Sequence, residues 1–481
     1  MRSSGPYSRT KRANLPSLSR ILTCLLLPLL TISPGALLYL LSQPSTSNTS
    51  RSFSGDLRDA EFSWNSLPLP FDKPAPTSLR IAVFSRKWPV LSAPGGMERH
   101  ALTLHSFLSR RGHRIHVFTA AAPVSEKYDI SSEYLKIHAL KGRPNQWQCE
   151  EAWELYEAEN RIEPFDVVHS ESVAMHHRFA SRVPNLAVSW HGIASEALQS
   201  GIYQDLIRSP DMDPALNRSL SMAVFKVINE IRFFKNYEHH IATSDSVGEI
   251  LRDIYQVPER RVHVILNGVD EEKFGLDDEL GNGFRSEIGI PEDAKIVMGI
   301  AGRLVRDKGH PLVYAAFKKL ITTHSNVYLI IAGRGPWEQR YNGLGPNVIT
   351  LGALPPSRLK AFYNAIDIFV HPTLRPQGLD QTLIESMLCG TPIMATRLPS
   401  IKGSLLVNKE FGFMFPPNVE ALGAVMEAAV AEGRRRLEER GRKCREYARG
   451  RLTATKMAMA HERLFLCIKN ESYCMYPLGF D

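Results

Sequence analysis

Cysteine is scarce in this chain, with six in 481 residues, and none is spaced with histidines as in a zinc site. The sequence therefore predicts no zinc site. Outside Cys24 the number of cysteines is odd, so at least one thiol stays unpaired within a chain. No internal repeat typical of solenoid proteins is present. An apolar share of 43% excludes a disordered or fibrous protein and is sufficient for two cores.

Acidic residues are absent from residues 1–20, which carry five basic ones, and charge of either sign is absent from residues 21–41. The uncharged run is long enough to cross a bilayer, and the basic flank precedes it. The pattern predicts a cytosolic tail (1–20), a transmembrane signal anchor (21–41) and a Ser/Pro-rich stem (42–76). A cleaved signal peptide and a surface-lying helix are the alternatives.

This topology predicts a single-pass type II protein of the Golgi membrane, with the endoplasmic reticulum as the alternative. Glycosylation sequons at Asn48, Asn217 and Asn470 are compatible with a secretory lumen. The formal charge of +8 is concentrated in the tail and in residues 431–451, so no nucleic-acid partner is expected. The second basic cluster is either a solvated helix face or a contact for anionic lipid or acidic glycan.

Short Val/Ile-rich runs alternate with helix-length segments in two successive series, which is typical of parallel strands joined by crossover helices. We predict an α/β protein with two doubly wound, Rossmann-like domains facing a cleft. Their predicted bounds are residues 77–275 and 285–430. Residues 431–481 have helical composition and form the closing helices.

Candidate ligand-binding residues follow the predicted strands, where a doubly wound sheet binds its ligands. Gly95 and Gly96 allow close approach to a phosphate or sugar, although paired glycines also form simple turns. Arg303 and Lys308 can neutralise two phosphates, unless they are only solvated. His191 can donate to a sugar hydroxyl, or it is a structural histidine.

Residues 375–392 are predicted to form a loop, a helix and a Gly-Thr-Pro stop after a buried strand. The loop leads into a helix N-terminus, whose amides and dipole favour an anion. Glu385, two turns into the helix, could reach the hydroxyls of a ribose. This pattern predicts a nucleotide-diphosphate pocket, although ordinary packing in a parallel sheet gives similar units.

Several motifs together resemble glycosyltransferase family 4, the retaining enzymes of the GT-B fold. They are PGGMERH, WHG, NGVD, GRLVRDKG, AGRGP, the strand ending HPT and the Glu385 helix, which occur in the family's order and spacing between about residues 79 and 465. The resemblance implies a nucleotide-sugar donor, a glycan, protein or lipid acceptor, no metal, and a last helix that crosses back to the first domain.

The resemblance also implies roles for single residues. Arg303 and Lys308 would hold the donor diphosphate, Glu385 the ribose, and His191 the donor sugar near its reacting carbon. Gly95 and Gly96 would line the donor site from the first domain. The distal phosphate would meet the backbone amides of Leu379, Asp380, Gln381, Thr382 and Leu383.

Two positions depart from the family pattern: Gln377 stands where a Glu is usual, and Asp380 where a Gly is usual. Gln377 can still bind a sugar hydroxyl but carries no charge, and Asp380 adds a negative charge beside a diphosphate. The predicted function is sugar transfer in the Golgi lumen. The alternatives are a non-catalytic scaffold that binds nucleotide or glycan, and a lipid-linked sugar transferase facing the cytosol.

Overall fold

The structure, a computed structural model, describes residues 53–90, 95–128, 133–206, 218–376 and 378–478. The predicted tail, the predicted membrane anchor and the first part of the predicted stem, up to residue 52, lie outside these residues. Asn48, Asn217 and Gln377 lie outside them as well. Within the described ranges, no helix combines the length and the apolar character needed to cross a bilayer.

The first domain is built on a seven-stranded parallel sheet that follows a short strand β1 (Gly55–Asp56). Its elements are β2 (Arg80–Phe84), α1 (Gly96–Arg110), β3 (Arg114–Thr119), β4 (Leu135–Ala139), α2 (Cys149–Ile162), β5 (Val167–Glu171), α3 (His177–Ala180), β6 (Leu186–Trp190), α4 (Ala194–Leu206), α5 (Arg218–Phe233), β7 (His239–Ala242), α6 (Asp245–Glu249) and β8 (Val262–Val264). The strand order is β4-β3-β2-β5-β6-β7-β8. Strands β3 and β4 are added on one side of β2, and the strands from β5 onward are added on its other side. The carboxyl ends of β2 and β5 therefore border a crevice at this switch point.

The second domain contains a six-stranded parallel sheet. Its elements are α7 (Asp278–Glu287), β9 (Ile296–Ala301), α8 (His310–Leu320), β10 (Val327–Ala332), α9 (Glu338–Asn342), β11 (Val348–Gly352), α10 (Pro356–Asn364), β12 (Ile368–His371), α11 (Gln381–Leu388), β13 (Ile393–Thr396), α12 (Pro399–Ser404), β14 (Gly412–Phe415) and α13 (Val419–Glu432). The strand order β11-β10-β9-β12-β13-β14 repeats the plan of the first sheet. Its central strands are apolar on both faces because helices cover both sides.

Two further helices, α14 (Arg434–Arg451) and α15 (Ala454–Lys469), close the chain before β15 (Met475–Tyr476). Helix α15 leaves the second domain and packs on α1 of the first, where Met457 and Phe465 join the apolar core. A disulfide links Cys467 to Cys474, whereas the other described cysteines are free thiols.

The structure differs from the predicted stem between residues 53 and 76. Strand β1 pairs antiparallel with β15, and Leu57 and Trp64 are buried in the core of the first domain. Asn65 donates from Nδ2 to the carbonyl oxygens of Leu266 and Arg451. Isolated apolar residues without periodicity gave no local signal for this packing.

Candidate functional site

A cleft of about 900 Å³ is lined by loops from the carboxyl ends of both sheets. Most of the predicted site residues lie in it: Gly95, Gly96, His191, Arg303, Lys308, Leu379, Asp380, Gln381 and Thr382. Leu383 and Glu385 are buried instead of forming part of the lining. A second depression of about 880 Å³, beside α14, contains none of the predicted site residues.

Arg303 and Lys308 lie on the loop that follows β9. The loop ends at Gly309, whose φ of +79° is left-handed and whose added Cβ would lie 1.8 Å from the carbonyl oxygen of Pro372. Glycine thus lets this loop approach the segment after β12 that carries Asp380. Arg303 is exposed and forms no ion pair within the described part of the chain. Its guanidinium is available to an anionic ligand.

Lys308 is already paired inside the protein, because its Nζ lies 2.7 Å from Oδ2 of Asp380. Asp380 also caps α11 by accepting from the backbone N–H of Thr382. Burial acts to raise the pKa of the Asp380 carboxyl, but Lys308 and His371 hold it well below its usual range. An ionised carboxylate therefore lies at the helix N-terminus where an anionic ligand was predicted.

Glu385 is also engaged by the protein. Its carboxylate accepts from Nη1 of Arg99 at 2.6 Å and from the hydroxyl of Tyr363 at 2.7 Å, and it is only 1% exposed. Arg99 belongs to α1, so this ion pair joins the two domains. A ribose hydroxyl that binds Glu385 has to replace the Arg99 contact.

His191 follows β6 and lies against Glu171, the last residue of β5. The distance between His191 Nε2 and Glu171 Oε2 is 2.5 Å, and Glu171 is fully buried. Burial acts to raise the pKa of Glu171, but His191 and the neighbouring imidazoles hold it well below its ordinary value. This contact fixes the His191 ring at the cleft.

Four more histidines pack around this pair: His100, His105, His169 and His461. Burial lowers the pKa of His100 and His169 well below the ordinary value and lowers that of His461 to about 4. These three imidazoles are therefore neutral near pH 7. Of these three, His100 lines the cleft, whereas His169 and His461 are buried behind its first-domain wall.

The loop before α11 is held against the first domain. Asn267, in the NGVD motif, donates from Nδ2 to the carbonyl oxygen of Leu379 at 2.7 Å. An added Cβ at Gly378 would lie 2.2 Å from Oγ1 of Thr243, so glycine permits this approach. The position of the loop thus depends on both domains.

Three residues at or beside the site were missed in the sequence: Arg99, Glu171 and Asn267. Arg99 and Asn267 lie within motifs that were noticed for other reasons, and Glu171 ends a strand beside the crevice. Position at a strand end was a usable signal for Glu171. No sequence signal pairs Arg99 with Glu385, since 286 positions separate them.

Models of two protein families match the chain in succession. Residues 94–273 match Glycosyltransferase Family 4, and residues 283–451 match Glycosyl transferases group 1. The chain belongs to glycosyltransferase family 4. Together the two matches cover both sheets and α14, and they confirm the family that the motifs indicated.

Among similar proteins, an uncharacterized glycosyltransferase of Methanocaldococcus jannaschii is 24% identical, over 74% of this chain and 90% of that protein. The alpha-monoglucosyldiacylglycerol synthase of Streptococcus pneumoniae is 30% identical, over 41% of this chain and 46% of that protein. The phosphatidyl-myo-inositol mannosyltransferase of Mycobacterium leprae is 23% identical, over 70% and 83%. The second relative is thus matched over less than half its length.

Solved structures confirm the GT-B fold. Sucrose-phosphate synthase from Thermosynechococcus elongatus has a TM-score of 0.64 at 17% identity, covering 81% of this chain and 98% of that one. Anabaena HepE, solved in complex with UDP and glucose, has a TM-score of 0.57 at 17% identity, covering 79% and 97%. At this identity the likeness establishes the fold alone.

The predicted Golgi localisation is wrong. The similar enzymes from Streptococcus pneumoniae and Mycobacterium leprae are bacterial, and bacteria have no Golgi apparatus. The prediction depended on the composition of residues 1–41, which lie outside the described part of the chain.

Proposed function

We propose that this glycosyltransferase is a retaining, metal-independent enzyme that moves a sugar from a nucleotide diphosphate to a glycan, protein or lipid acceptor. The observation that carries the proposal is the second-domain wall, where exposed Arg303 and half-buried Lys308 lie beside the N-terminus of α11. A guanidinium, an ammonium and the N-terminal amides of a helix are suited to a diphosphate. The structural neighbour with bound UDP supports a nucleotide donor.

In this proposal the donor diphosphate binds Arg303 and replaces Asp380 as the partner of Lys308. The amide of Gln381, at the start of α11, donates to the distal phosphate, and the amide of Thr382 does so once Asp380, which accepts from it, has been displaced. As the sugar–phosphate bond breaks, negative charge grows on the departing phosphate. These groups stabilise that charge without a metal ion.

The other wall would position the sugar. His191 lines the cleft with its ring held by Glu171, so it can hydrogen-bond the donor sugar near the reacting carbon. Glu385 would accept from the ribose hydroxyls after Arg99 moves. Gly96 supports this arrangement, because nothing lies within 4 Å of the place a Cβ would take and the space is open to a ligand.

Retention follows from a front-face reaction. The bond between the anomeric carbon and the phosphate oxygen breaks, the acceptor oxygen bonds to that carbon on the same face, and the departing phosphate takes the acceptor's proton. A double displacement needs a free carboxylate as nucleophile. Among the described residues that line the cleft, Asp380 alone has a carboxylate, and that carboxylate is paired with Lys308 and is not free to act as the nucleophile.

Thermal unfolding of the full-length chain with UDP, GDP, ADP and their sugars tests the proposal. A nucleotide at a hundred times its Kd stabilises the folded state by about 2.7 kcal/mol. The stabilisation should fall to about 0.4 kcal/mol in Arg303→Ala if its Kd rises about 100-fold, and should persist in Arg306→Ala, a matched control on the same loop outside the lining. Absence of any shift with wild type would contradict the proposal.

Stereochemistry and metal dependence are tested separately. With the donor identified by unfolding, NMR of the first product should show the anomeric configuration of the donor, and an inverted product would refute retention. The transfer rate should be unchanged in EDTA. A rate that falls in EDTA and returns with Mg²⁺ would refute metal independence.

A second function is favoured by the two internal ion pairs. Asp380 neutralises Lys308, and Arg99 covers Glu385, so both groups predicted to hold nucleotide are engaged within the protein. A protein that binds nucleotide or glycan without turnover would tolerate these two internal ion pairs. Turnover of a nucleotide sugar would exclude it, whereas saturable nucleotide binding without turnover would favour it.

A further inference from the structure

Helix α1 places a histidine in the cleft whose ring has no hydrogen-bond partner. Neither Nδ1 nor Nε2 of His100 is paired with any atom of the described residues, although the side chain is only 2% exposed. His100 nevertheless lines the cleft, one helical turn after Gly96. Buried polar atoms are normally paired because losing their hydrogen bonds to water is costly. Two unpaired ring nitrogens at a cleft therefore indicate a polar ligand.

The other unpaired polar atoms near the cleft are arranged differently. Among the described residues that line it, only Asn267 has a further buried atom of this kind, Oδ1, and its Nδ2 has a protein partner. The unpaired atoms of His105, Glu171 and His461 belong to residues that do not line the cleft. His100 thus combines access to the cleft with two unpaired nitrogens.

The ring of His100 is uncharged near neutral pH. Burial and the neighbouring His191 lower its pKa well below the ordinary value, although the charge of Glu171 acts in the opposite direction. A neutral imidazole has one N–H donor and one acceptor nitrogen. A hydroxyl group can also donate and accept, whereas an ionised carboxylate only accepts. The ring of His100 is therefore better suited to a hydroxyl group than to an anion.

His100 lies beside the histidine that the proposed function assigns to the donor sugar. The ring centroids of His100 and His191 are 4.5 Å apart in an edge-to-face arrangement. Both residues line the cleft, and so does Gly96, where nothing lies within 4 Å of the place a Cβ would take. Two imidazoles this close can contact hydroxyl groups of one sugar ring, and the backbone at Gly96 leaves room for that ring.

We propose that His100 binds a hydroxyl group of the donor sugar and thereby discriminates against donors that lack this hydroxyl. The inference rests on the proposed function, which places the sugar against His191. A sugar without the hydroxyl would leave the buried ring unpaired. Sites built to hydrogen-bond a substrate hydroxyl reject the analogue without it far more strongly than apolar pockets reject a missing methylene.

His100 was not singled out in the sequence, although it ends the PGGMERH motif. Its position one turn after Gly96 was a usable signal, because residues four apart lie on the same face of a helix. The absence of a protein partner for its ring became visible only in the packed structure.

The stability of His100→Leu distinguishes a ligand-binding ring from a structural one. Leucine has a similar volume and no polar atom, and replacing an unpaired buried polar group by an apolar one is nearly neutral or stabilising. The urea midpoint of the variant should therefore equal or exceed that of the wild type. A clearly lower midpoint would show that the ring is paired in the folded protein and would overturn the proposal.

Calorimetric titration of the full-length chain measures the contribution of the sugar. The probes are UDP, GDP or ADP, whichever stabilises the wild type against unfolding, and the glucose, galactose, mannose and xylose forms of that nucleotide. For the form that the wild type binds most tightly, His100→Leu should lose about tenfold in affinity, as expected for one hydrogen bond. Its affinity for the nucleotide alone should not change.

His461→Leu is the control, because His461 is also a buried, neutral histidine but does not line the cleft. It should change neither affinity. An equal loss of sugar affinity in both variants would overturn the proposal, because the effect would then come from packing behind the wall.

Monodeoxy forms of the best-bound sugar identify the hydroxyl. Removing the hydroxyl that His100 binds should weaken binding to the wild type about tenfold and should weaken binding to His100→Leu no further, since groups in contact are coupled. If every monodeoxy form weakens binding to the two proteins equally, His100 contacts no hydroxyl and the proposal is wrong.

His100→Asn and His100→Gln keep the test decisive if His100→Leu does not fold. Their amides also donate and accept, but from positions different from those of the ring nitrogens. Nucleotide affinity should be unchanged, whereas the order of preference among the monodeoxy forms should change in both variants. An unchanged order in both would overturn the proposal.

Failure of this inference differs from failure of the proposed function. A wild type that binds no nucleotide would overturn both. A wild type that binds nucleotide and its sugar form normally, together with full sugar affinity in His100→Leu, would overturn only the role of His100.

Discussion

The two walls of the cleft come from sheets with the same strand plan, yet they present different chemistry. The second-domain wall carries an exposed guanidinium and an ammonium paired with Asp380. The first-domain wall carries neutral imidazoles around the buried carboxylate of Glu171. Topology decides where strand ends meet, whereas residue type and burial decide what each wall can bind.

Burial also separates the two walls energetically. Exposed or half-exposed charges interact weakly through water, so the cations of the second wall contribute mainly when a ligand excludes solvent. Groups buried behind the first wall lose solvation on folding and depend on one another. Substitutions on the second wall should therefore affect ligand binding, and those behind the first wall should affect stability.

Arg99→Ala should have the largest effect, because it removes the ion pair that joins the walls. Glu385 would remain buried with only Tyr363 as its partner, and breaking one side of a buried pair costs about 3–5 kcal/mol. Urea unfolding measures this loss. Arg110→Ala, exposed on the same helix, is the control and should cost under about 0.5 kcal/mol. A similar loss in both variants would contradict the importance of the pair.

Arg303→Ala and His191→Gln should distinguish the walls by nucleotide affinity. Without Arg303, the Kd of the nucleotide diphosphate should rise about 100-fold, near 3 kcal/mol, because a charge-assisted pair is lost. His191→Gln should leave that Kd nearly unchanged, since the proposed function assigns the ring to the donor sugar and not to the diphosphate. Calorimetric titration with nucleotide alone measures both. Equal weakening of nucleotide binding in the two variants would contradict separate roles for the two walls.

Glu196→Gln should change the pH dependence of stability. Burial raises the pKa of Glu196 to about 7. The unfolded chain loses this proton near pH 4.5, so the wild type should lose about 2–3 kcal/mol of stability as pH rises from 4.5 to 7. The variant lacks this decrease. The free energy of unfolding, measured with urea at pH 5 and at pH 8, should differ less between the two pH values in Glu196→Gln than in the wild type. Equal differences in the two proteins would refute a raised pKa at Glu196.

Asp380→Gly should have the smallest effect and should change affinity and stability in opposite directions. Freeing Lys308 should tighten nucleotide binding about fivefold, near 1 kcal/mol, because a like charge leaves the diphosphate site. Losing the side-chain cap of α11 should cost a few tenths of a kcal/mol, and losing the ion pair with half-buried Lys308 should lower stability further.

Asp380→Asn separates the two effects, because asparagine also caps helices and carries no charge. It should bind nucleotide more tightly and keep the cap, losing only the contribution of the ion pair with Lys308 to stability. If Asp380→Asn binds no better than wild type, the carboxylate does not compete with the diphosphate.

Much of the fold was visible in local pattern. The alternation of apolar strands and helices indicated two doubly wound domains, and the strands that end before His191, Arg303 and Asp380 were recognised as ligand-bearing. The first domain was underestimated, since residues 53–76 pack on it through isolated side chains such as Trp64. Isolated contacts of this kind do not recur with a fixed period, so no pattern in the sequence predicts them.

Periodicity within short segments was sufficient to predict the α/β class, the two-domain arrangement and the strand ends that line the cleft. Tertiary packing was needed to show that Arg99 covers Glu385, that Asp380 pairs with Lys308, and that His100, Glu171 and His191 converge. These contacts join residues separated by 286 and 72 positions in the two ion pairs. They form because the domains and helix packing bring distant segments together, and no local pattern encodes that proximity.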